Sequence, residues 1–174
     1  MKLRYLFVAL TATALTLPFA APASADTTGA TITVVGGVME INAPAPSANL
    51  GSQANVVQGT EIVGSLGQVV VTDARSAAAG SGWVASAIST AFTQDAGPSI
   101  AAGAVTYETG AIAKFGTATY TANNPVSLTG VAPVLTATGI TGDNSATWTP
   151  KIHVAVPGGA VAGVYLATIT HSVV

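Results

Sequence analysis

Short runs of β-branched and aromatic residues alternate with polar residues along most of the chain, and this two-residue period limits the possible folds most strongly. Successive side chains of a β-strand point to opposite faces of the sheet, so such alternation is typical of strands with one buried face. Glycine, proline or asparagine interrupts the runs about every 8–12 residues, as in all-β domains. We therefore expect an all-β fold: a single antiparallel β-sandwich of Ig-like or Greek-key type with about eight to ten strands.

The N-terminal residues 1–25 have the features of a cleaved signal peptide. Two basic residues precede an apolar run that Pro18 ends before the roughly 20 residues needed to span a membrane. The run is followed by a small-x-small cleavage site that ends at Ala25. The sequence therefore predicts a secreted protein whose mature chain begins at Asp26 and forms one domain, residues 26–174.

The chain carries few charges. Only 7% of its residues are charged, with five basic and seven acidic side chains, against about 25% in a typical domain. Loss of Lys2 and Arg4 with the signal peptide leaves three basic residues against seven acidic ones, a net charge of −4. A nucleic-acid partner is disfavoured because phosphate binding needs a basic patch. Cysteine is absent, so the domain must be stabilised by its core without disulfides.

The central stretch Leu66–Arg75 is expected to be a strand, because three consecutive valines favour a buried, pleated surface. A small, polar segment from Ser76 to Gly82 then predicts a turn of hairpin length. A second strand starts at Trp83 and has apolar residues on both faces. We therefore expect this strand to be central in its sheet and the Trp83 ring to be buried.

Two further patterns predict local structure. The apolar face changes parity at Gly36-Gly37, which favours a strand over residues 31–35 and a β-bulge or kink at the glycine pair. Near the C-terminus, residues 148–156 and 165–173 both alternate and flank a Pro-Gly-Gly connection. They predict a closing antiparallel hairpin in which Trp148 lies opposite His171 on the apolar face.

The side chains that could support catalysis are few and scattered. The two histidines, His153 and His171, have opposite parity on the predicted hairpin and should face different sides of the sheet. The acidic residues show no close pair suited to glycoside hydrolysis. Asp143-Asn144 is predicted to be a turn, with calcium binding the lesser possibility. We expect no catalytic residue, no metal site and no cofactor.

Asp73 and Arg75 allow two interpretations. They could line a ligand groove beside Trp83, or they could be a turn-capping carboxylate and its ion-pair partner. The second interpretation is the commoner one for such a pair. Core packing is likewise the usual role of a tryptophan among alanines.

The sequence resembles the WxL domain of Gram-positive surface proteins in two places. The first is Leu66-Gly-Gln-Val-Val-Val-Thr-Asp-Ala-Arg75 followed by Gly82-Trp83-Val-Ala, and the second is the stretch from Val154 to Val173. Ala85 replaces the leucine of the first Trp-x-Leu, and His-Ser-Val replaces the second motif. The resemblance implies an exported domain attached non-covalently to the cell wall, with peptidoglycan as ligand. It also implies Trp83, Asp73 and Arg75 as candidate wall contacts.

The residues leave three classes of function, and the spacing of the acidic residues does not support one of them, a carbohydrate-binding or hydrolytic β-domain. Two classes are therefore expected. The chain could be a cell-surface module that binds wall glycan or a companion surface protein. Alternatively, it could be a structural subunit that self-associates through β-edge contacts, which a low-charge surface permits. Neither class requires nucleic acid or a membrane span after signal removal.

Overall fold

The computed structural model describes residues 28–44, 48–95, 97–124 and 126–174. The chain separates into two units, residues 1–33 and 34–174. Of the first unit only residues 28–33 are described; they are exposed and form no regular secondary structure. The predicted cleavage site at Ala25 and Asp26 lies outside the described residues. Within the described part of the chain, no helix is long and apolar enough to cross a membrane.

The second unit is built from β-strands and one short 3-10 helix. The strands are β1 (Met39–Asn42), β2 (Thr60–Ser65), β3 (Val69–Ser89), β4 (Val105–Glu108), β5 (Ile112–Ala122), β6 (Val126–Ser127), β7 (Ala132–Trp148), β8 (Lys151–Val156) and β9 (Ile169–Val173). The 3-10 helix covers Ala102–Ala104, directly before β4.

These strands form two antiparallel sheets that pack together. The five-stranded sheet has the order β1-β3-β7-β5, with β9 also paired to β3, and the four-stranded sheet has the order β2-β8-β4-β6. Inward side chains of both sheets, including Val71, Trp148 and Ile152, form one core. The all-β sandwich predicted from the alternation is confirmed.

β3 is the central strand of the larger sheet. It pairs with β7 on one side and with both β1 and β9 on the other. Trp83, Ala85 and Ala87 are buried, whereas the intervening side chains are only partly buried. The predicted central position of this strand and the burial of Trp83 are therefore confirmed.

The predicted turn between Ser76 and Gly82 is wrong, because β3 runs through this segment as a single 21-residue strand. Its pairing with β7 continues along both halves, with register shifts between residues 73 and 83. Ser76 and Gly80 have positive φ angles of 51° and 87°. Small and polar residues at this place bend the strand instead of reversing it.

The same bend crosses the neighbouring strands. Gly116 in β5 and both Gly139 and Gly142 in β7 also have positive φ, a conformation that glycine adopts without a steric penalty. Ser76 is held there by Asp143, whose Oδ1 accepts from the serine backbone N–H at 2.9 Å and from the hydroxyl at 3.1 Å. We call this line of residues the sheet bend. Because Asp143 and Asn144 lie within β7, the prediction of a turn there is wrong.

The predicted closing hairpin is also wrong. β8 belongs to the four-stranded sheet, where it pairs with β2 and β4, whereas β9 pairs with β3 in the other sheet. The chain changes sheet at Thr149-Pro150, where the strand pattern is interrupted. Proline has no N–H to donate to a ladder, and the Pro150 carbonyl accepts from Leu66 N at 3.2 Å. The alternation correctly gave the inward face of each strand but could not identify its partner.

The predicted strand over residues 31–35 does not form among the described residues, since the first strand begins at Met39. Instead, Gly37 N donates to the Ala74 carbonyl at 2.6 Å, and Ala74 N donates to the Val38 carbonyl at 3.0 Å. A Cβ atom on Gly36 would overlap the Arg75 carbonyl oxygen, whereas one on Gly37 would lie 3.2 Å from the Ala74 side chain. The glycine pair is thus required by close backbone approach to β3 and not by a bulge.

Gly36→Ala should therefore destabilise the domain more than Gly37→Ala. The Gly36 substitution must displace backbone, and overpacking of this kind costs about 1–3 kcal/mol. For a domain of this size, each kcal/mol corresponds to about 2–4 °C in Tm. Thermal unfolding checks the order, with Gly159→Ala as a control because a Cβ atom added there would have nothing within 4 Å. Equal melting temperatures for the two variants would contradict the close approach.

Candidate functional site

Asp73 is the carboxylate on which the candidate site is built. It follows Val69 and Val71 on the inward face of β3 and is 0% exposed. Its Oδ1 accepts from Arg75 Nε at 2.8 Å, and its Oδ2 accepts from Arg75 Nη2 at 2.9 Å. The guanidinium therefore forms a bidentate ion pair, which is stronger and more directional than a single charged hydrogen bond.

Asn144 connects this ion pair to Trp83. It lies opposite Asp73 in β7, and its Nδ2 donates to Asp73 Oδ2 at 3.0 Å. Its Oδ1 accepts from Trp83 Nε1 at 2.9 Å. Because the indole nitrogen can only donate and the carboxylate can only accept, the amide has one orientation that satisfies both. Asn144 thus joins two inward side chains that the chain separates by ten residues.

The hydrogen bond between Trp83 and Asn144 requires the sheet bend. In the β3–β7 ladder Trp83 lies opposite Ala137, seven residues from Asn144 along β7. In a straight strand those seven residues would span about 23 Å. Arg75 Nη2 also crosses the bend and donates to the Gly82 carbonyl at 3.3 Å. The polar side chains therefore fasten the two halves of the bent sheet to each other.

Tyr120 from β5 completes the group. Its ring packs against Trp83 with the centroids 5.7 Å apart, and its hydroxyl donates to the Ser145 carbonyl at 3.1 Å. Lys114 Nζ lies 5.9 Å from the same ring centroid, close enough for a cation–π contact. Burial, and then the nearby Asp73 charge, raise the pKa of the Tyr120 phenol. We call Asp73, Arg75, Trp83, Tyr120 and Asn144 the bend network.

The electrostatics of the bend network keep Asp73 ionised. Hydrogen bonding from Arg75 lowers the pKa of the carboxyl from 3.8 to about 2, against the opposing effect of burial. The carboxylate is thus saturated with donors and holds its charge at neutral pH. These properties suit a structural ion pair, because a general acid or base needs a pKa near the working pH.

The structure brings the three sequence-predicted residues together. Trp83 is 2% exposed, and the predicted ion pair of Asp73 with Arg75 is present, although the carboxylate lies within a strand and caps no hairpin turn. Only the Arg75 side chain, 37% exposed, reaches solvent to a substantial extent. Contact of these residues with a ligand stays a prediction.

Sequence reasoning missed Tyr120 and Asn144. The Asp-Asn pair favours a turn by composition, which hides the inward direction of Asn144. The signal that could have found it is parity, since Asn144, Ala146 and Trp148 alternate along β7 and all three are buried. A polar residue on an inward face needs a hydrogen-bond partner, and Trp83 could have supplied the donor.

A second polar chain links the two sheets. Trp148 Nε1 donates to the Tyr107 hydroxyl at 2.8 Å, and that hydroxyl lies 3.2 Å from His171 Nε2. Trp148 and His171 come from β7 and β9 of the larger sheet, whereas Tyr107 comes from β4 of the smaller one. The expected proximity of Trp148 and His171 therefore arises through Tyr107 and not through a shared hairpin.

The partners of the Tyr107 hydroxyl constrain the tautomer of His171. The indole N–H can only donate, so the phenol oxygen accepts from it, and His171 Nε2 is the other partner found for this hydroxyl among the described residues. If the phenol hydrogen is directed to Nε2, the neutral imidazole carries its proton on Nδ1. Nδ1 is buried, and no hydrogen-bond partner is found for it within the described residues. Burial lowers the pKa of His171, which favours this neutral form.

His153 lies elsewhere, on β8 of the four-stranded sheet. Its Nδ1 is 3.3 Å from Glu61 Oε1, and its Nε2 is 3.2 Å from Glu108 Oε2. The two histidines thus belong to different sheets. Among the residues that the structure describes, no group of three or more histidine, aspartate or glutamate side chains is placed to hold a metal ion.

Comparisons of the sequence with known proteins assign no family to this chain. No protein-family model matches the chain, and no curated protein matches it significantly.

Acidification should weaken the bend network through Asp73. The folded pKa of about 2 lies below the ordinary 3.8, so the unfolded chain takes up the proton first as the pH falls. The stability that the ionised Asp73 contributes above about pH 4 is therefore lost as the pH approaches 2. The free energy of unfolding falls by on the order of 2 kcal/mol over this range. Urea unfolding at several pH values should show this loss in the wild type and a much smaller one in Asp73→Asn. Asp95→Asn, an exposed carboxylate, is the control and should retain the loss.

His171 should make the stability of the domain depend on pH in a higher range than Asp73 does. Its folded pKa is lowered, so between the unfolded value of about 6.5 and that lower value the unfolded chain binds more protons. Acidifying from about pH 7.5 to 5 should therefore destabilise the wild type. His171→Phe should remove most of that loss, and His153→Phe should retain it. An unchanged pH dependence in His171→Phe would contradict the burial of the imidazole.

Proposed function

We propose that this chain is an exported, non-catalytic β-sandwich module of the cell surface. Like the WxL domains that its sequence resembles, it attaches non-covalently to wall glycan or to a companion surface protein. The observation that carries the proposal is the bend network. Its hydrogen bonds and packing contacts use the central charged and aromatic side chains of the larger sheet to stabilise the fold.

The contacts inside the network support a scaffold and not a reaction centre. Both carboxylate oxygens of Asp73 are occupied by donors from Arg75 and Asn144. The Trp83 ring is packed against Tyr120, and its N–H is used by Asn144. Side chains engaged in this way position the surrounding strands, and a ligand must then be bound by the outward faces.

The outward faces are chemically suited to a neutral ligand. Thr117, Thr119 and Thr121 are exposed along β5, and they present hydroxyl groups that both donate and accept hydrogen bonds. Charged residues are only 7% of the whole chain. Such a face favours hydroxyl-rich glycans or another low-charge protein surface over an ionic partner.

A second candidate function, self-assembly at the cell surface, is favoured by a separate observation. Val34, Val35 and Val38 precede β1 and are 77%, 83% and 70% exposed. β5 pairs with β7 alone among the described strands, so it offers backbone groups to an added strand. Extended chains can pair with such edges, and Phe115 on β5 is itself exposed.

Purified wall sacculi and gel filtration separate the two candidates. The secreted protein is incubated with sacculi, sedimented and compared with its elution volume in the absence of sacculi. Binding by a protein that elutes as a monomer supports the wall module. Large assemblies that do not bind sacculi support the structural subunit. A monomer that binds neither sacculi nor a co-purified surface protein overturns both candidates.

Trp83→Phe tests whether the bend network acts as a scaffold. The substitution keeps an aromatic ring but removes the indole N–H that donates to Asn144 Oδ1. The Tyr120 hydroxyl, 3.3 Å from this oxygen, can still donate to it, so we expect the cost of one lost hydrogen bond, about 0.5–1.5 kcal/mol. We expect a lower Tm and unchanged sacculus binding at temperatures where the variant is folded. A folded variant that no longer binds sacculi would place the Trp83 ring in contact with the ligand.

A further inference from the structure

We propose that the outward side of the larger sheet binds an uncharged, hydroxyl-rich oligosaccharide, with the exposed Phe115 ring as its stacking surface. The residues concerned lie on the side of β3 and β7 opposite to the bend network. The proposal rests on the wall-glycan function proposed above and assigns a surface to it. Strand register, one exposed ring and the charge of this surface are the three separate observations that carry it.

The register of four strands places four outward side chains in one row across the larger sheet. In the order β5, β7, β3 and β1 the row consists of Phe115, Ser145, Thr72 and Glu40. The residues next to Ser145 and Thr72 in sequence are buried, so alternation directs these two side chains outward. Neighbouring strands lie about 4.8 Å apart, so the row spans about 14 Å, which is longer than one pyranose ring.

A second row runs beside the first across the same four strands. It consists of Ala113, Thr147, Val70 and Asn42. Thr147 adds a hydroxyl group and Asn42 adds an amide, both of which can donate and accept hydrogen bonds. Sugar hydroxyl groups also do both, so the two rows match them without a fixed direction of donation. We call the two rows the outer face.

Phe115 is the anchor of the outer face. It is 71% exposed, and among the residues that the structure describes it is the one exposed aromatic side chain. The faces of an aromatic ring are electron-rich, so they attract the C–H groups of a pyranose, whose hydroxyl groups lie around its rim. A ligand that covers the ring also removes apolar surface from water, which is favourable.

The backbone that carries the outer face is held in place. Gly116, next to Phe115, has a φ of 83°, and a Cβ atom there would lie 2.5 Å from the Asp143 carbonyl oxygen. Behind the first row, Asn144 Nδ2 donates to Asp73 Oδ2 at 3.0 Å and so fastens β7 to β3. A surface that is already ordered loses less conformational entropy when a ligand binds.

The charge of the outer face favours an uncharged ligand. Glu40 is the only charged residue in the two rows, and it is exposed. Its carboxylate accepts hydrogen bonds only, and hydrogen bonds from sugar hydroxyl groups to a charged acceptor are the stronger kind. An anionic polymer would instead meet a like charge with no base beside it in the two rows.

Titration of the secreted protein with trisaccharides tests the outer face directly. Tri-N-acetylchitotriose and cellotriose are uncharged probes, and trigalacturonate is an anionic one. In 15N–1H spectra we expect an uncharged probe to shift the amide signals of Phe115, Ser145 and Thr72 in a saturable way, and trigalacturonate to bind far more weakly. The proposal is overturned if neither uncharged probe shifts these signals, or if trigalacturonate binds equally well.

Phe115→Ala tests the ring as the anchor. Because the side chain is exposed, its removal should change the Tm little, whereas the affinity for the uncharged trisaccharide should fall about tenfold or more, as for loss of an aromatic anchor. Phe115→Tyr keeps the ring and should bind as the wild type does. Leu166→Ala is the matched control, since Leu166 is also 71% exposed and lies outside the outer face. Equal affinity of Phe115→Ala and wild type would contradict the proposal.

Sedimentation with sacculi and gel filtration separate this proposal from the functions proposed above. Equal sedimentation of wild type and Phe115→Ala would overturn the outer face as the wall contact and leave the wall-module function intact. If the wild type does not sediment, that function fails, and saturable trisaccharide shifts would still support the outer face. A wild type that elutes as an oligomer and binds no trisaccharide, with a monomeric Phe115→Ala, would assign the ring to a contact between copies and overturn the proposal.

Discussion

The ion pair between the buried Asp73 carboxylate and the partly exposed Arg75 guanidinium is the interaction on which the larger sheet depends. A carboxylate at 0% exposure is tolerable only when donors replace its lost water. Arg75 of β3 and Asn144 of β7 supply those donors. Removing one partner would leave an uncompensated charge inside the protein, which costs more than the pair contributes. The buried carboxylate therefore needs both of its partners.

The second polar chain has a different mechanical role. Trp148, Tyr107 and His171 connect the two sheets through the core, whereas the bend network connects two halves of one sheet. Each fixes an angle that apolar packing leaves free, because hydrophobic contacts are not directional. Together they give a domain without disulfides a defined shape.

The sequence predicted which face of a strand is buried better than it predicted which strands pair with each other. Parity placed Trp83 and Trp148 in the core, since burial of alternate side chains is a local property of each strand. Pairing depends on chain segments far apart in sequence, so small residues from Ser76 to Gly82 suggested a turn where the strand only bends. Thr149-Pro150 likewise marked a change of sheet that alternation alone could not show. Asn144 was missed because its inward direction depends on the same long-range pairing.

The length of β3 has a consequence for the order in which the domain can form. Val69 pairs with Trp148, and Ala87 pairs with His171, so the central strand waits for segments that are synthesised long after it. Such distant pairing makes folding slow. Of the described strands that pair with β3, only β1 precedes it in the chain, so the valine-rich stretch of β3 stays open to solvent until later segments arrive. The larger sheet is complete only when β9 has joined it, which keeps the chain open until most of the domain has been synthesised.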